Sequence, residues 1–406
     1  MSFARFISNR ITLKSKRTFS KLIVRIAILG IMLGLGVMIL SMAIIRGFKA
    51  EIREKIRGFA GDVQIVKSDL NNSYENSSFI PEPGLIAKLT ANKYIAHVNA
   101  FATKPGIIKA NNDREGVIMK GVDKNYDWDY MKKMLVSGSV IDFRDSADAM
   151  KQVMVSQVIA KRLKLKAGDD LLIYFVQETP RKRKLRIQGI FDIGADEIDK
   201  NFIIGDINLI KRLNDWNKGE VGGYEVRVAD FDLLNPTADW IDDKLPILLK
   251  SYTVVENYPV IFEWLGLLDA NAVVMLVLMT VVAVINMISA LLIMILERTS
   301  MIGMLKAMGA QNWVIQKVFL YNAAYLIGVG LFLGNLLGLG IGYFQQETHF
   351  FALDPANYYM AFVPIQFSVF DVLLLNVGTL VICLLVLIIP SMLVTRISPV
   401  RAIRFK

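Results

Sequence analysis

Two histidines, His97 and His349, and one cysteine, Cys383, are all that the 406 residues offer to chemistry needing an imidazole or a thiol. The histidines stand apart, with no ligand spacing around them, which points away from a metal centre. A single cysteine excludes a disulfide within the chain. Cys383 lies in an apolar run and reads as a small hydrophobe. Two isolated histidines leave no plausible Ser/His/Asp site, and the phosphate-cradling pattern Gly-x-x-x-x-Gly-Lys-Ser/Thr is absent. The polar segment that does carry a pattern is Glu297–Ala310. Met301, Met304, Leu305 and Met308 recur there at i, i+3, i+4 and i+7, which predicts an amphipathic helix. Gly309 is placed to end it. Met304 and Leu305, framed by Glu297, Arg298 and Lys306, are the expected apolar anchors of a contact with another protein. That is chemistry of recognition, not of bond-making.

The elements that position this segment are long apolar runs. Ala270–Leu296 and Val318–Phe344 flank it and carry no charge. Each exceeds the 18 or so residues a helix needs to cross a hydrocarbon core of ~30 Å. Leu22–Ile45 and Val372–Ile389 are two further spans. Leu22–Ile45 is too long for the apolar core of a signal peptide, so a retained helix is expected. A hydrophobic content of 54% and a mean hydropathy of +0.43 are too apolar for an ordinary soluble protein of this length.

The net charge of +10 is a topology signal rather than a nucleic-acid footprint. Bases concentrate in three membrane flanks: Arg5, Arg10, Lys14, Lys16, Arg17, Lys21 and Arg25; then Arg298, Lys306 and Lys317; then Arg396, Arg401, Arg404 and Lys406. Lys and Arg accumulate on the cytoplasmic side of short loops, and anionic lipid attracts them. The expected order is a basic amphipathic segment at 1–21, spans at 22–47, 269–296, 318–344 and 372–392, and cytoplasmic segments at 297–317 and 393–406. Outside lie 48–268 and the aromatic-rich loop 345–371.

Two glycine patterns suit close helix contact. Gly30 and Gly34 form a small-xxx-small pair, which serves a dimer or the chain's own second span equally well. Gly330, Gly334, Gly338 and Gly342 line one face of the third span. Beyond the first span, good helix formers continue through Arg46–Arg57, with Glu51 and Lys55 at the favourable i, i+4 spacing. Strand-length patterns appear at Val63–Val66, Gly116–Met119, Leu171–Val176, Leu185–Ile190 and Gly223–Val228, with a helical period over Ser156–Lys166. This is an α+β region. Arg181, Lys182, Arg183 and Lys184 are expected at a hairpin tip, either a solvated turn or a docking point for an acidic partner.

The polar segment resembles the cytoplasmic coupling segment of the FtsX/MacB superfamily of ABC-transporter permeases, roughly Glu-Arg-x-x-Glu-Ile-Gly-x-Leu-Lys/Arg-Ala-x-Gly-Ala. Glu297, Arg298, Ile302, Gly303, Leu305, Lys306, Ala307, Gly309 and Ala310 match it, and Met301 replaces the second acid. The run GFKAEIREKIRG after the first span resembles the Lol-type lipoprotein-releasing branch, and Ile397–Arg404 resembles the family's C-terminal ending. The resemblance implies an α-helical membrane protein with four transmembrane helices plus an α+β extracytoplasmic (MacB-like periplasmic) domain between helices 1 and 2. A variable subdomain is expected near Asn111–Gln152. The resemblance also implies residence in a bacterial inner membrane, both termini cytoplasmic, and dimerisation with a like or unlike permease. It implies two copies of a separate ATPase that binds ATP and Mg, with no cofactor in this chain. A lipoprotein substrate and a periplasmic carrier would be further partners. Efflux of a drug or toxin and signalling to a cell-wall hydrolase are the rival readings.

Overall fold

A computed structural model describes residues 18–69, 74–111, 113–177, 179–354, 358 and 360–396. The basic segment before Thr18 and the tail after Arg396 lie outside the described residues, as does Glu178. The chain forms two compact units. One comprises residues 1–50, 264–353 and 361–406; the other comprises 51–263 and 354–360.

Among the described residues, four helices are long and apolar enough to cross a membrane. They are the first helix Thr18–Ala60, whose residues from Glu51 belong to the second unit, then Pro259–Glu297, whose residues to Glu263 do so as well, Asn312–Thr348 and Val369–Ser391. Their core joins Ile31, Leu35 and Ile39 of the first span to Ala283, Met287 and Leu291 of the second, Phe319, Ile327 and Leu331 of the third, and Cys383 and Leu387 of the fourth.

The glycine stripe of the third span packs on the first span of the same chain. A Cβ on Gly330 would stand 2.7 Å from the Cβ of Ile31, and one on Gly334 3.0 Å from the Met32 carbonyl oxygen. A Cβ on Gly338 would stand 3.0 Å from the Gly36 carbonyl oxygen. Gly342 lies against the ring of Phe367 instead. On the first span, Gly30 faces the Asn286 amide of the second. A Cβ on Gly34 would meet nothing within 4 Å, so Gly36 and not Gly34 takes the close contact with the third span.

A polar pair also ties the third span to the fourth. Asn335 and Asn376 exchange amide hydrogen bonds of 2.7 and 2.9 Å. Each also donates to the carbonyl one turn back on its own helix, Leu331 and Val372, at 2.8 Å. In hydrocarbon such a pair contributes about 0.6 kcal/mol and at most ~1.7. Asn335→Leu should therefore lower the thermal midpoint of the detergent-solubilised protein, because it leaves the Asn376 amide unmatched. Asn335→Leu with Asn376→Leu should recover most of the loss; a double variant worse than the sum of the singles would refute this role.

The second unit is built on one ten-stranded sheet. Its strands are β1 Val63–Lys67, β2 Ile95–Ala110, β3 Asp113–Val122, β4 Leu135–Gly138, β5 Gln152–Ser156, β6 Asp170–Phe175, β7 Arg181–Phe191, β8 Phe202–Asp206, β9 Gly223–Val228 and β10 Leu249–Thr253. The order is β10-β1-β9-β2-β3-β8-β5-β7-β4, with β6 bridging β2 and β7. The helical period after Ser156 becomes the helix Gln157–Leu163, capped by the Ser156 hydroxyl. The expected subdomain at Asn111–Gln152 is not a separate insertion. That segment supplies β3, between β2 and β8 in the middle of the sheet, and β4 at its edge.

Candidate functional site

The connector between the second and third spans is the helix Thr299–Ala307. It ends in a Schellman turn. Ala310 N donates to the Leu305 carbonyl at 3.0 Å, Gly309 N donates to Lys306 at 2.9 Å, and Gly309 holds φ at +88°. Only glycine adopts that conformation without strain. The motif is usually accompanied by an apolar contact between the two residues that its longer bond joins.

The methionine pattern splits in two here. Ile302, Gly303 and Leu305 are buried, and the two larger side chains join the core of the span bundle with Ile315 and Val394. Met304 is 56% exposed and Met308 70% exposed, with Ala307 and Gly309 beside them on the open side. Glu297, Arg298, Lys306 and Ala310 are half-buried at the margins. Lys306 Nζ donates to the Thr395 carbonyl at 3.1 Å, and partial burial lowers its pKa. The expectation of Leu305 as an exposed anchor is thus corrected. The open apolar surface is Met304 and Met308, extended by Trp313, whose ring lies 5.2 Å from Lys317 Nζ.

The second unit holds a polar site that the sequence analysis missed. The last turn of the first helix ends with carbonyls that lack helical partners. Tyr126 Oη donates to the Phe59 carbonyl at 3.2 Å and Gln64 Nε2 to Ala60 at 3.2 Å, while Tyr130 Oη adds a bond to the Lys55 carbonyl, one turn earlier, at 2.6 Å. Lys120 Nζ, from β3, also donates to the Phe59 carbonyl. A cation at a helix C-terminus meets the negative end of the helix dipole. Lys120 in turn pairs with Glu225 of β9 at 2.7 Å, both 3% exposed. Burial lowers the Lys120 pKa and raises that of Glu225, while each partner's charge opposes the shift of the other. Gly58 is forced by this packing, since a Cβ there would sit 2.2 Å from the Tyr130 ring. Arg57 Nη2 reaches the buried Asp62 at 2.8 Å, and Val228 N donates to the same carboxylate at 2.7 Å.

The profile of the MacB-like periplasmic core domain matches residues 26–244, more than half of the chain, and that of the FtsX-like permease C-terminal region matches 273–399. The chain belongs to the FtsX/MacB permease family. The domain between the first and second spans of this permease is therefore a MacB-like periplasmic domain, and the protein is a multi-pass membrane protein. Its curated relatives include the lipoprotein-releasing system transmembrane protein LolE of Haemophilus influenzae, 21% identical over 96% of both chains. LolC of Xylella fastidiosa is 20% identical, over 97% of this chain and 96% of the relative. The crystal structure of the periplasmic region of MacB from Actinobacillus actinomycetemcomitans aligns with 52% of this permease and 97% of that chain, at 14% identity and a TM-score of 0.35.

The basic quartet of the permease is not a loop tip. Arg181–Lys184 are the first residues of β7, where Arg181 pairs with Phe175 at the end of β6. Arg181 bonds the Leu213 carbonyl and Asp215, each at 3.0 Å, and Lys184 pairs with Asp170 at 2.7 Å. Lys182 and Lys184 are exposed, and Arg181 and Arg183 are half-buried. Two of the four charges are thus used within the sheet. The signal that could have located the Lys120 site is its context: one lysine inside the apolar run Val117-Ile-Met-Lys-Gly-Val122.

Proposed function

We propose that this permease works with a separate ATPase to extract lipidated proteins from the outer leaflet of a bacterial inner membrane. The observation that carries the proposal is the connector's open face. Met304, Met308 and Trp313 present apolar surface outside the uncharged stretches of the spans, among Glu297, Arg298, Lys306 and Lys317. On this reading the basic flanks and both termini face the cytoplasm, and two ATPase copies seat on the connectors of a permease dimer. ATP binding closes the ATPases, and the first helix passes the motion into the periplasmic domain. The names of the relatives that align over nearly the whole chain support a lipidated protein as cargo. Lifting acyl chains out of lipid costs ~0.8 kcal/mol per CH₂, which calls for an ATP-driven stroke.

The connector can be tested without disturbing the fold. Truncating a desolvated interface anchor costs ~2 kcal/mol or more, about a thirtyfold loss of affinity. Met304→Ala with Met308→Ala should release the co-purifying ATPase while yield and thermal midpoint stay unchanged. Leu305→Ala should instead lower stability, because that side chain belongs to the core. Full retention of the ATPase by the methionine variant would sink the connector as its seat. Cargo is tested in vesicles loaded with a lipidated protein: ATP-dependent release supports the reading, and ATP-dependent efflux of a small dye without release favours the MacB-like alternative.

A further inference from the structure

Arg46 and Lys49 follow the first apolar run directly, on the flank where the chain enters the periplasmic domain. Cations normally collect on the opposite flank, and charge near hydrocarbon is expensive unless it is paired. Each of the two has a carboxylate partner on a different span. Arg46 Nη2 lies 2.6 Å from Asp371 Oδ2, in the first turn of the fourth span. Lys49 Nζ lies 2.5 Å from Asp269 Oδ2 of the second span. Between the two cations, a Cβ on Gly47 would stand 2.5 Å from the Pro364 carbonyl oxygen, and Gln366 N donates to the Ala43 carbonyl at 3.0 Å. Two turns of the first span thus touch the second span, the fourth span and the loop that leads into the fourth.

These contacts differ in kind from the rest of the bundle. The glycine stripe and the Asn335–Asn376 pair hold helices by close packing and matched amides, which come apart only by unpacking. Each ion pair joins an exposed group to a sheltered one: Arg46 is 43% and Asp371 11% exposed at the side chain, Asp269 61% and Lys49 22%. Water screens the exposed partner and keeps the net contribution of such a contact small, so that partner can exchange the pair for water. Asp371 accepts its release readily, because it stands at a helix N-terminus, where the dipole favours a negative charge.

We infer that Arg46–Asp371 and Lys49–Asp269 form a charge latch across the periplasmic end of the four spans, which opens and recloses during each transport cycle. The four side chains are positioning residues: closed, they pin the first span to the second and fourth; open, they let those helices part where cargo enters. The inference rests on the transport reading given above, and the latch itself is tested with a measurement that needs no cargo.

Arg46→Cys with Asp371→Cys, and separately Lys49→Cys with Asp269→Cys, are placed in a Cys383→Ala background. Each full-length permease is purified with its ATPase in lipid nanodiscs and treated with a short, reducible bis-methanethiosulfonate. The expected result is rapid cross-linking without nucleotide, slower cross-linking with ATP and Mg, and loss of ATP-dependent lipoprotein release that reductant restores. Absence of cross-linking in the resting complex would overturn the latch. So would a rate that nucleotide leaves unchanged, or full release by the cross-linked protein. If the Cys383→Ala complex with both ion pairs intact releases no lipoprotein, the transport reading fails, and the nucleotide dependence of cross-linking still decides the latch. Arg46→Lys should keep both release and the nucleotide response of the other pair, whereas Arg46→Glu should lose both, and Arg46→Glu with Asp371→Arg should regain them.

Discussion

Lys120→Met should destabilise the periplasmic domain more than any other single change to a polar side chain proposed for it. Breaking a buried ion pair from one side costs about 3–5 kcal/mol, because the remaining charge is left uncompensated in a low-dielectric site. Here the survivor is Glu225, whose other side-chain partner in the site is the Gln64 amide at 3.2 Å. The variant also removes a cation from the C-terminal carbonyls of the first helix, leaving Tyr126 and Gln64 to serve Phe59 and Ala60. Lys120→Met with Glu225→Met should recover most of the loss, since apolar replacement of a whole buried pair is often close to neutral. Thermal unfolding of the full-length protein, with limited proteolysis between the first and second spans, measures both variants. Equal stability of wild type and Lys120→Met would show that the pair is solvated and the helix end held by other contacts.

The parts of this protein that could be read in advance are those with a local period. Four apolar runs of membrane length announced four helices, and alternation over Gly223–Val228 announced β9, because Tyr224, Val226 and Val228 fall on one strand face, although Glu225 on the other is buried too. Gly309 announced the end of the connector because its backbone conformation excludes other residues. What escaped was every feature that depends on register between distant segments. A glycine stripe shows that something comes close, and the sequence left a dimer partner and the chain's own helices equally open for Gly30 and Gly34. Arg181 and Lys184 read as free charges until pairing set Lys184 beside Asp170 across the β6–β7 hairpin. Leu305 was misjudged for a subtler reason. Both faces of the connector are apolar, one for the core and one open, so hydrophobic spacing alone could not say which was which.

Among the buried polar groups, Asp62, Lys120 and Glu225 gather at the end of the first helix in the periplasmic domain and Gln345 stands at the end of the third span, while the half-buried Asn335–Asn376 pair joins two spans. The buried Gln345 amide donates to the Phe351 and Val363 carbonyls at 3.2 and 3.1 Å and accepts from Phe351 N at 2.8 Å. It therefore fixes the loop that follows the third span. These groups secure a helix end or a helix pair, and Lys120 and Glu225 also line a cavity with Phe59, Gln64 and Tyr258. That distribution fits the helix-transmitted stroke proposed above.

The proposed stroke requires that the first and third spans stay together, and enlarging the glycines between them should test it. Gly330→Leu and Gly338→Leu each drive a side chain into the first span. The first atom added would already overlap Ile31 in one case and the Gly36 backbone in the other. Backbone cannot swing aside as a flexible side chain can, so the helices must separate along their length. Overpacking typically costs about 1–3 kcal/mol and occasionally more, and here the lost contact extends over several turns. Both variants should show a sharply lower yield of folded protein and a lower thermal midpoint in detergent, without any change in the periplasmic sheet. Gly328→Leu and Gly340→Leu are the controls. They lie on the same helix, and a Cβ at either position meets nothing within 4 Å. If all four variants behave alike, the loss reflects leucine on this helix in general, and the third span does not rest on the first through its glycines.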